Sequence, residues 1–181
     1  MERKENQIRN NIRNAIREVP DFPKPGINFK DITPVLANPE LCRAIISEME
    51  SLVKPMNVDA ILGIESRGFI FGMPLANSLS LPFLVSRKKG KLPYKTHTFS
   101  YALEYGIAEM EMHVDSVKPG QKVLVHDDLL ATGGTAMAAA ELVKMQGGEV
   151  AGFLFMVELG SLNGREKLEK YSGKIISLVT Y

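Results

Sequence analysis

Two adjacent carboxylates, Asp127 and Asp128, stand between an apolar run and a turn of small residues in the stretch Val123 to Thr135, VLVHDDLLATGGT. Val123, Leu124 and Val125 read as a buried strand, and an alanine-rich helical run follows the turn Ala131-Thr132-Gly133-Gly134-Thr135. Glycines let backbone approach an anion closely because no Cβ intervenes. A helix N-terminus adds unpaired N–H groups and a positive dipole end, so this turn suits a phosphate. The acids would repel that phosphate and suit hydroxyl groups, or a metal beside it. The stretch therefore asks for a ligand with a phosphate at one end and hydroxyls or a metal next to it, and a sugar phosphate fits.

Two other phosphate chemistries are excluded by spacing. An ATPase acid of this kind needs a G-x-x-x-x-G-K-[ST] loop, whereas Gly90-Lys91 is followed by Leu92, and no G-x-G-x-x-G occurs. A solvated Asp- and Gly-rich turn accounts for the bend but not for two acids and two threonines at one strand end. His97, His113 and His126 show no metal-ligand spacing with each other or with Cys42.

The stretch resembles the phosphoribosyl-diphosphate motif of the type I phosphoribosyltransferases, and DDLLATGGT resembles their adenine branch. The resemblance implies that Asp127 and Asp128 meet the ribose hydroxyls. It places the 5′-phosphate on Ala131, Thr132, Gly133, Gly134 and Thr135. His126 stands where the family usually has an apolar residue, and it reads as a packed, hydrogen-bonded side chain behind the site.

Four further stretches resemble the family in its order. GIESRGF (63–69) resembles the pyrophosphate loop, with Ser66 and Arg67 in it and an expected cis peptide between Glu65 and Ser66. Arg67 taken alone reads as a surface residue in a salt bridge; beside a second phosphate loop its planar, permanent charge suits pyrophosphate. FPKPGINFKDITP (22–34) resembles the base-covering hood, which implies that Phe29 stacks on the base while the backbone around Asn28 and Lys30 reads its edge. SYALEYG (100–106) resembles the tip of the catalytic loop, implying Glu104 as acid/base with Tyr105 beside it. VELGSLNGREKL (157–168) implies that Leu159 helps wall the base. Before the tip lies Arg87 to Thr96, five of whose ten residues are basic. It reads as a solvated loop, or as a lid whose Arg87, Lys88 and Lys91 close on pyrophosphate.

The elements that must position these residues alternate. A stripe of Ile8, Ile12, Ile16 and Val19 predicts an amphipathic helix over about 2–19. Prolines 20, 23, 25 and 34 forbid a helix in the next segment, and its apolar side chains predict an ordered flap. Asn38 caps a helix with stripe Leu41, Ile45, Met49 and Leu52. Strands are expected at 58–64, 82–86, 98–101, 108–114, 123–125, 149–157 and 175–179, with helices at 69–79 and 135–146. In 108–114, Glu109, Glu111 and His113 alternate with apolar neighbours, which predicts a half-exposed strand. This is an α/β pattern, a mostly parallel, helix-flanked sheet, and the resemblance implies that it is the type I phosphoribosyltransferase fold, with an N-terminal hood and a flexible catalytic loop.

The chain of 181 residues reads as one domain, 1–181, with the helix and hood over about 1–37 and the mobile loop over about 87–107. A net charge of +1 gives no bulk case for nucleic acid or membrane binding. One cysteine, a polar N-terminus and no long apolar run predict a reducing, cytoplasmic setting without a secretory signal. The resemblance implies transfer of phosphoribosyl from phosphoribosyl diphosphate to adenine, giving AMP and pyrophosphate. It implies Mg²⁺ held mainly by substrate oxygens rather than by a protein metal site, and a homodimer. Two alternatives stay open: a 6-oxopurine transferase of the same fold, and a non-catalytic sensor of phosphoribosyl diphosphate, which would need a DNA-binding module.

Overall fold

A computed structural model describes residues 2–102 and 106–181. The chain divides into two compact units, residues 1–51 and 52–181.

In the first unit α1 covers Glu2–Ala15, not the predicted 2–19. Ile8 and Ile12 are its buried stripe, continued by Ile16 just past its end. Arg17–Val19 is instead strand β1, paired antiparallel with β2 (Phe29–Asp31), so that Val19 faces Phe29. The flap between them is ordered by local bonds: Gly26 N–H donates to Asp21 Oδ1 at 2.7 Å and Phe22 N–H to the Ile27 carbonyl at 3.1 Å. A one-turn helix α2 (Thr33–Leu36) leads to α3 (Pro39–Val53). Asn38 caps α3 as predicted, its Oδ1 accepting Leu41 N–H at 3.0 Å. The stripe ends on Val53 rather than Leu52, because 41, 45, 49 and 53 keep the helical repeat of four on one face.

The second unit is built on a seven-stranded sheet. Its strands are β3 (Ala60–Ile64), β4 (Phe83–Lys88), β5 (Thr96–Ala102), β6 (Ile107–His113), β7 (Lys122–Leu130), β8 (Glu149–Glu158) and β9 (Ile175–Thr180). Their order is β5-β6-β4-β3-β7-β8-β9. Pairings β4-β3, β3-β7, β7-β8 and β8-β9 are parallel, and only β5-β6 and β6-β4 run antiparallel. Helix α4 (Gly68–Ser78) follows β3 and α5 (Gly134–Met145) follows β7. Alternation along β7 assigns the faces. Val123 and Val125 join Ala138, Ala139, Leu142 and Val143 of α5 in one core cluster. His126, on the other face, lies under Gly72 of α4. The strand pattern thus feeds two helix N-termini at the carboxyl ends of the neighbouring central strands β3 and β7, where open parallel sheets bind ligands.

The basic segment departs from a loop: Arg87 and Lys88 extend β4 and pair with Met110 and Glu111 of β6. Glu111, expected on an exposed face, is only 4% accessible. Its carboxylate is satisfied by two amides and a hydroxyl: Oε1 accepts Lys91 and Leu92 N–H, each at 2.8 Å, and Oε2 accepts the Thr96 hydroxyl at 3.3 Å. These donors hold its pKa below the usual range although burial pushes the other way.

Candidate active site

Strand β7 carries Asp127 and Asp128 to its carboxyl end, and the chain then turns through Ala131 to Gly133 into α5. Gly133 has φ 77°, a left-handed conformation that favours glycine, and its carbonyl accepts Met137 N–H at 2.9 Å. Two adjoining hollows of about 210 and 200 Å³ share Arg67, Asp127, Asp128 and Thr135. The first is completed by the turn 131–134, the second by Glu65, Ser66, Lys88, Tyr101 and Met110. A larger hollow of about 430 Å³ lies in the N-terminal unit, lined by Asn11, Asn14, Asn38 and Glu40 among others, and has neither an acid pair nor a glycine turn.

The two acids sit unequally. Asp128 is 3% accessible, and Asp127 is half-buried, its Oδ1 accepting Asp128 N–H at 2.9 Å. Burial pushes the Asp127 carboxyl well above the usual carboxylate range, and the charge of Asp128 adds to this. Burial also raises Asp128, against the opposing pull of Arg67. Arg67 Nε lies 3.1 Å from Asp128 Oδ2, while the arginine side chain stays 44% exposed. The guanidinium therefore steadies a buried carboxylate while part of the side chain stays accessible at the rim of the hollows.

Ser66 lies beside it, and the Glu65–Ser66 peptide is cis. Glu65 is engaged on β4: its Oε1 accepts Arg87 Nη2 at 2.9 Å and its Oε2 accepts Lys88 N–H at 3.0 Å. Arg87 Nη1 also donates to the Lys91 carbonyl at 2.8 Å. Of the three cations predicted for pyrophosphate, only Lys88 lines the hollow; Arg87 is turned onto Glu65, and Lys91 is held through its backbone. Tyr101 Oη lies 3.2 Å from Thr135 Oγ1, joining β5 to the start of α5.

Asn28, Phe29 and Lys30 belong to the N-terminal unit. Asn28 Nδ2 donates to Glu18 at 2.9 Å, the buried Lys30 ammonium pairs with the same carboxylate, and Phe29 packs edge-on against Phe22. Leu159, half-buried, donates its N–H to the Leu130 carbonyl at 2.9 Å, which ties it to the end of β7. Glu104 and Tyr105 lie outside the described residues. His126 is fully buried, its Nδ1 2.9 Å from the Leu154 carbonyl. Burial lowers its pKa to about 4, so it is a neutral packing group behind the acids.

Sequence reasoning missed the partners of these residues. Glu65 stood inside a quoted motif but reads like any turn acid, and Glu111 carries the alternation of an exposed position. Neither has a local signal, because their donors come from segments about 20 residues away.

A glycine turn at a helix start, an acid pair and an arginine from the loop after the neighbouring strand thus meet at the carboxyl end of a parallel sheet, an arrangement whose chemistry suits a phosphorylated sugar. Residues 31–178 match the model of the phosphoribosyl transferase domain. Adenine phosphoribosyltransferase of Acetivibrio thermocellus is 53% identical over 171 residues, covering 94% of this chain and 99% of the relative. The crystal structure of the enzyme of that name from Thermoanaerobacter pseudethanolicus superposes with a TM-score of 0.92 at 47% identity, covering 96% of this chain and 99% of that one. The enzyme of the same name from Saccharomyces cerevisiae, crystallised with adenine and a bisphosphorylated iminoalditol, matches with a TM-score of 0.89 at 35% identity, covering 96% and 99%. The chain belongs to the phosphoribosyltransferase family, in its adenine phosphoribosyltransferase branch. Among the described residues no helix is long and apolar enough to cross a membrane, and no three His, Cys, Asp or Glu residues gather as a metal cage.

Proposed function

We propose that this chain transfers the 5-phosphoribosyl group of phosphoribosyl diphosphate to adenine, giving AMP and pyrophosphate, with the residue roles that follow. The observation that carries the reading is the juxtaposition of Asp127 and Asp128 with the glycine turn on one side and Arg67 on the other. A sugar lying across the acids places its 5′-phosphate on the α5 N-terminus and its C1′ diphosphate toward Ser66, Arg67 and Lys88. Asp127 and Asp128 accept the ribose hydroxyls, most strongly when ionised.

Mg²⁺ would be held mainly by the diphosphate and ribose oxygens of the substrate, beside the carboxylates of Asp127 and Asp128 that border the hollow, and would supply charge neutralisation to the leaving pyrophosphate. As the C1′–O bond breaks, negative charge grows on pyrophosphate, and Arg67 and Lys88 stabilise it in place. Arg87 and Lys91 join them when the 87–107 segment closes, which also excludes water from the reacting carbon. Glu104 takes the adenine ring proton as N9 bonds C1′, with Tyr105 beside it. For the base, the family pattern assigns Phe29 to stacking, the backbone at Asn28 and Lys30 to edge recognition, and Leu159 to the wall. A dimer in a reducing cytoplasm belongs to the same reading.

The test is incubation with Mg²⁺, phosphoribosyl diphosphate and adenine, hypoxanthine or guanine in turn. AMP from adenine alone is the expected result. Nucleotide from a 6-oxopurine instead, or tight binding without any product, would replace this reading.

A further inference from the structure

Gly164 is buried outside both hollows, yet a Cβ there would lie 2.1 Å from the Ala131 carbonyl oxygen and 2.9 Å from Gly133 N. The contact is reciprocal, because a Cβ on Gly133 would lie 2.5 Å from the Gly164 carbonyl oxygen. Two backbone turns are therefore pressed face to face with no side chain between them. One is the anion turn; the other belongs to the 159–168 segment, to which only a base-wall role for Leu159 is assigned.

The second turn is itself fixed. Arg165, next to Gly164, forks onto Glu158 through Nε–Oε1 at 3.1 Å and Nη2–Oε2 at 2.7 Å, and its Nη1 donates to the Ile175 carbonyl at 2.7 Å. Ser177 Oγ donates to Glu158 Oε2 at 2.6 Å. Two planar groups bound at two points each have little freedom, so the clamp sets where Gly164 sits. Among the described residues the anion turn shows no such fork: Thr132 is exposed, and Thr135 at its end meets Tyr101 Oη at 3.2 Å.

We propose that Gly164 is a positioning residue for the sugar-phosphate end of the site, the backstop against which the anion turn is held, and that the Glu158–Arg165 clamp sets its place. The proposal rests on the function proposed above. Any side chain at 164 must push Ala131 to Gly133 toward the hollow, moving the amides that face the 5′-phosphate. Pyrophosphate, gripped from β3 and β4, would not feel it.

Calorimetric titration of the whole protein with ribose 5-phosphate, AMP and Mg²⁺-pyrophosphate tests this. Gly164→Ala should weaken ribose 5-phosphate and AMP by about 10²-fold, the scale of an ångström-sized misplacement, and leave pyrophosphate within about 2-fold. Arg165→Lys keeps the charge and the glycine but cannot fork; it should weaken the same two ligands by about 3–10-fold with pyrophosphate again spared. It serves if the alanine variant does not fold. Equal losses at both ends, or none, in whichever variant folds would overturn the backstop. A wild-type protein that binds none of the three would overturn the proposed function itself.

Discussion

Arg67 Nε and Asp128 Oδ2, 3.1 Å apart, join the loop after β3 to the end of β7. The pair couples the two halves of the proposed ligand site. Burial raises the Asp128 carboxyl and the same guanidinium, proposed to meet pyrophosphate, opposes that rise on the proposed ribose side. Removing the arginine should therefore weaken both ends. Arg67→Ala should lose roughly 1–3 kcal/mol of binding for pyrophosphate and for ribose 5-phosphate alike. A loss confined to pyrophosphate in calorimetry would show that the pair carries no coupling.

Asp127 places binding against stability. Its folded-state pKa is raised, so the folded protein holds a proton that the unfolded chain releases above about 3.8. Its contribution is full below that value and is lost as pH rises through the folded pKa. Asp127→Asn keeps an Oδ1 acceptor for Asp128 N–H and cannot ionise. It should raise the thermal midpoint at pH 7, with the gain fading toward pH 4, while phosphoribosyl diphosphate affinity falls by about 1–3 kcal/mol. Midpoints of the two proteins that run parallel from pH 4 to 8 would contradict this.

His126 has the opposite sign. Its folded pKa is lowered from 6.5 to about 4. Its stabilising contribution is whole above pH 6.5 and is lost as pH falls toward 4, on the order of 2–4 kcal/mol across that window. In His126→Asn that acid-dependent loss should shrink relative to wild type, as read from urea midpoints at each pH. An unchanged pH profile would mean that the ring does not stay neutral in the fold.

Glu111 tethers the basic segment by backbone bonds, so charge removal there should free the segment locally. Trypsin should cut Glu111→Gln between Arg87 and Lys95 at least about 10-fold faster than wild type, since local opening tracks the bonds that oppose it. Mg²⁺ with phosphoribosyl diphosphate should slow the cut in both. Equal cleavage rates, or a first cut elsewhere in the variant, would remove the tether.

Glu104→Gln keeps size but cannot accept the adenine proton. Single-turnover AMP formation should slow by roughly 10²–10⁴-fold with phosphoribosyl diphosphate binding nearly unchanged. A wild-type single-turnover rate would return Glu104 to a solvent-facing turn and leave charge stabilisation to account for catalysis.

The sequence by itself determined the parts whose cause is local. VLVHDDLLATGGT specifies strand, acid pair, turn and helix start within thirteen consecutive residues, because apolar periodicity and glycine placement act over a few bonds. The Asn38 cap and most of the strands were legible for the same reason. Tertiary structure decided what depends on partners distant in the chain. Val19 left its predicted helix because Phe29 offered a strand to pair with. Glu111 left its exposed face because the amides of Lys91 and Leu92 reached it. Arg87 turned to Glu65, 22 residues away, and Gly164 met Ala131 across the fold. No periodicity encodes such meetings: they arise when strand order and register bring separate segments within hydrogen-bonding or van der Waals range, where burial then sets the charge state of each group.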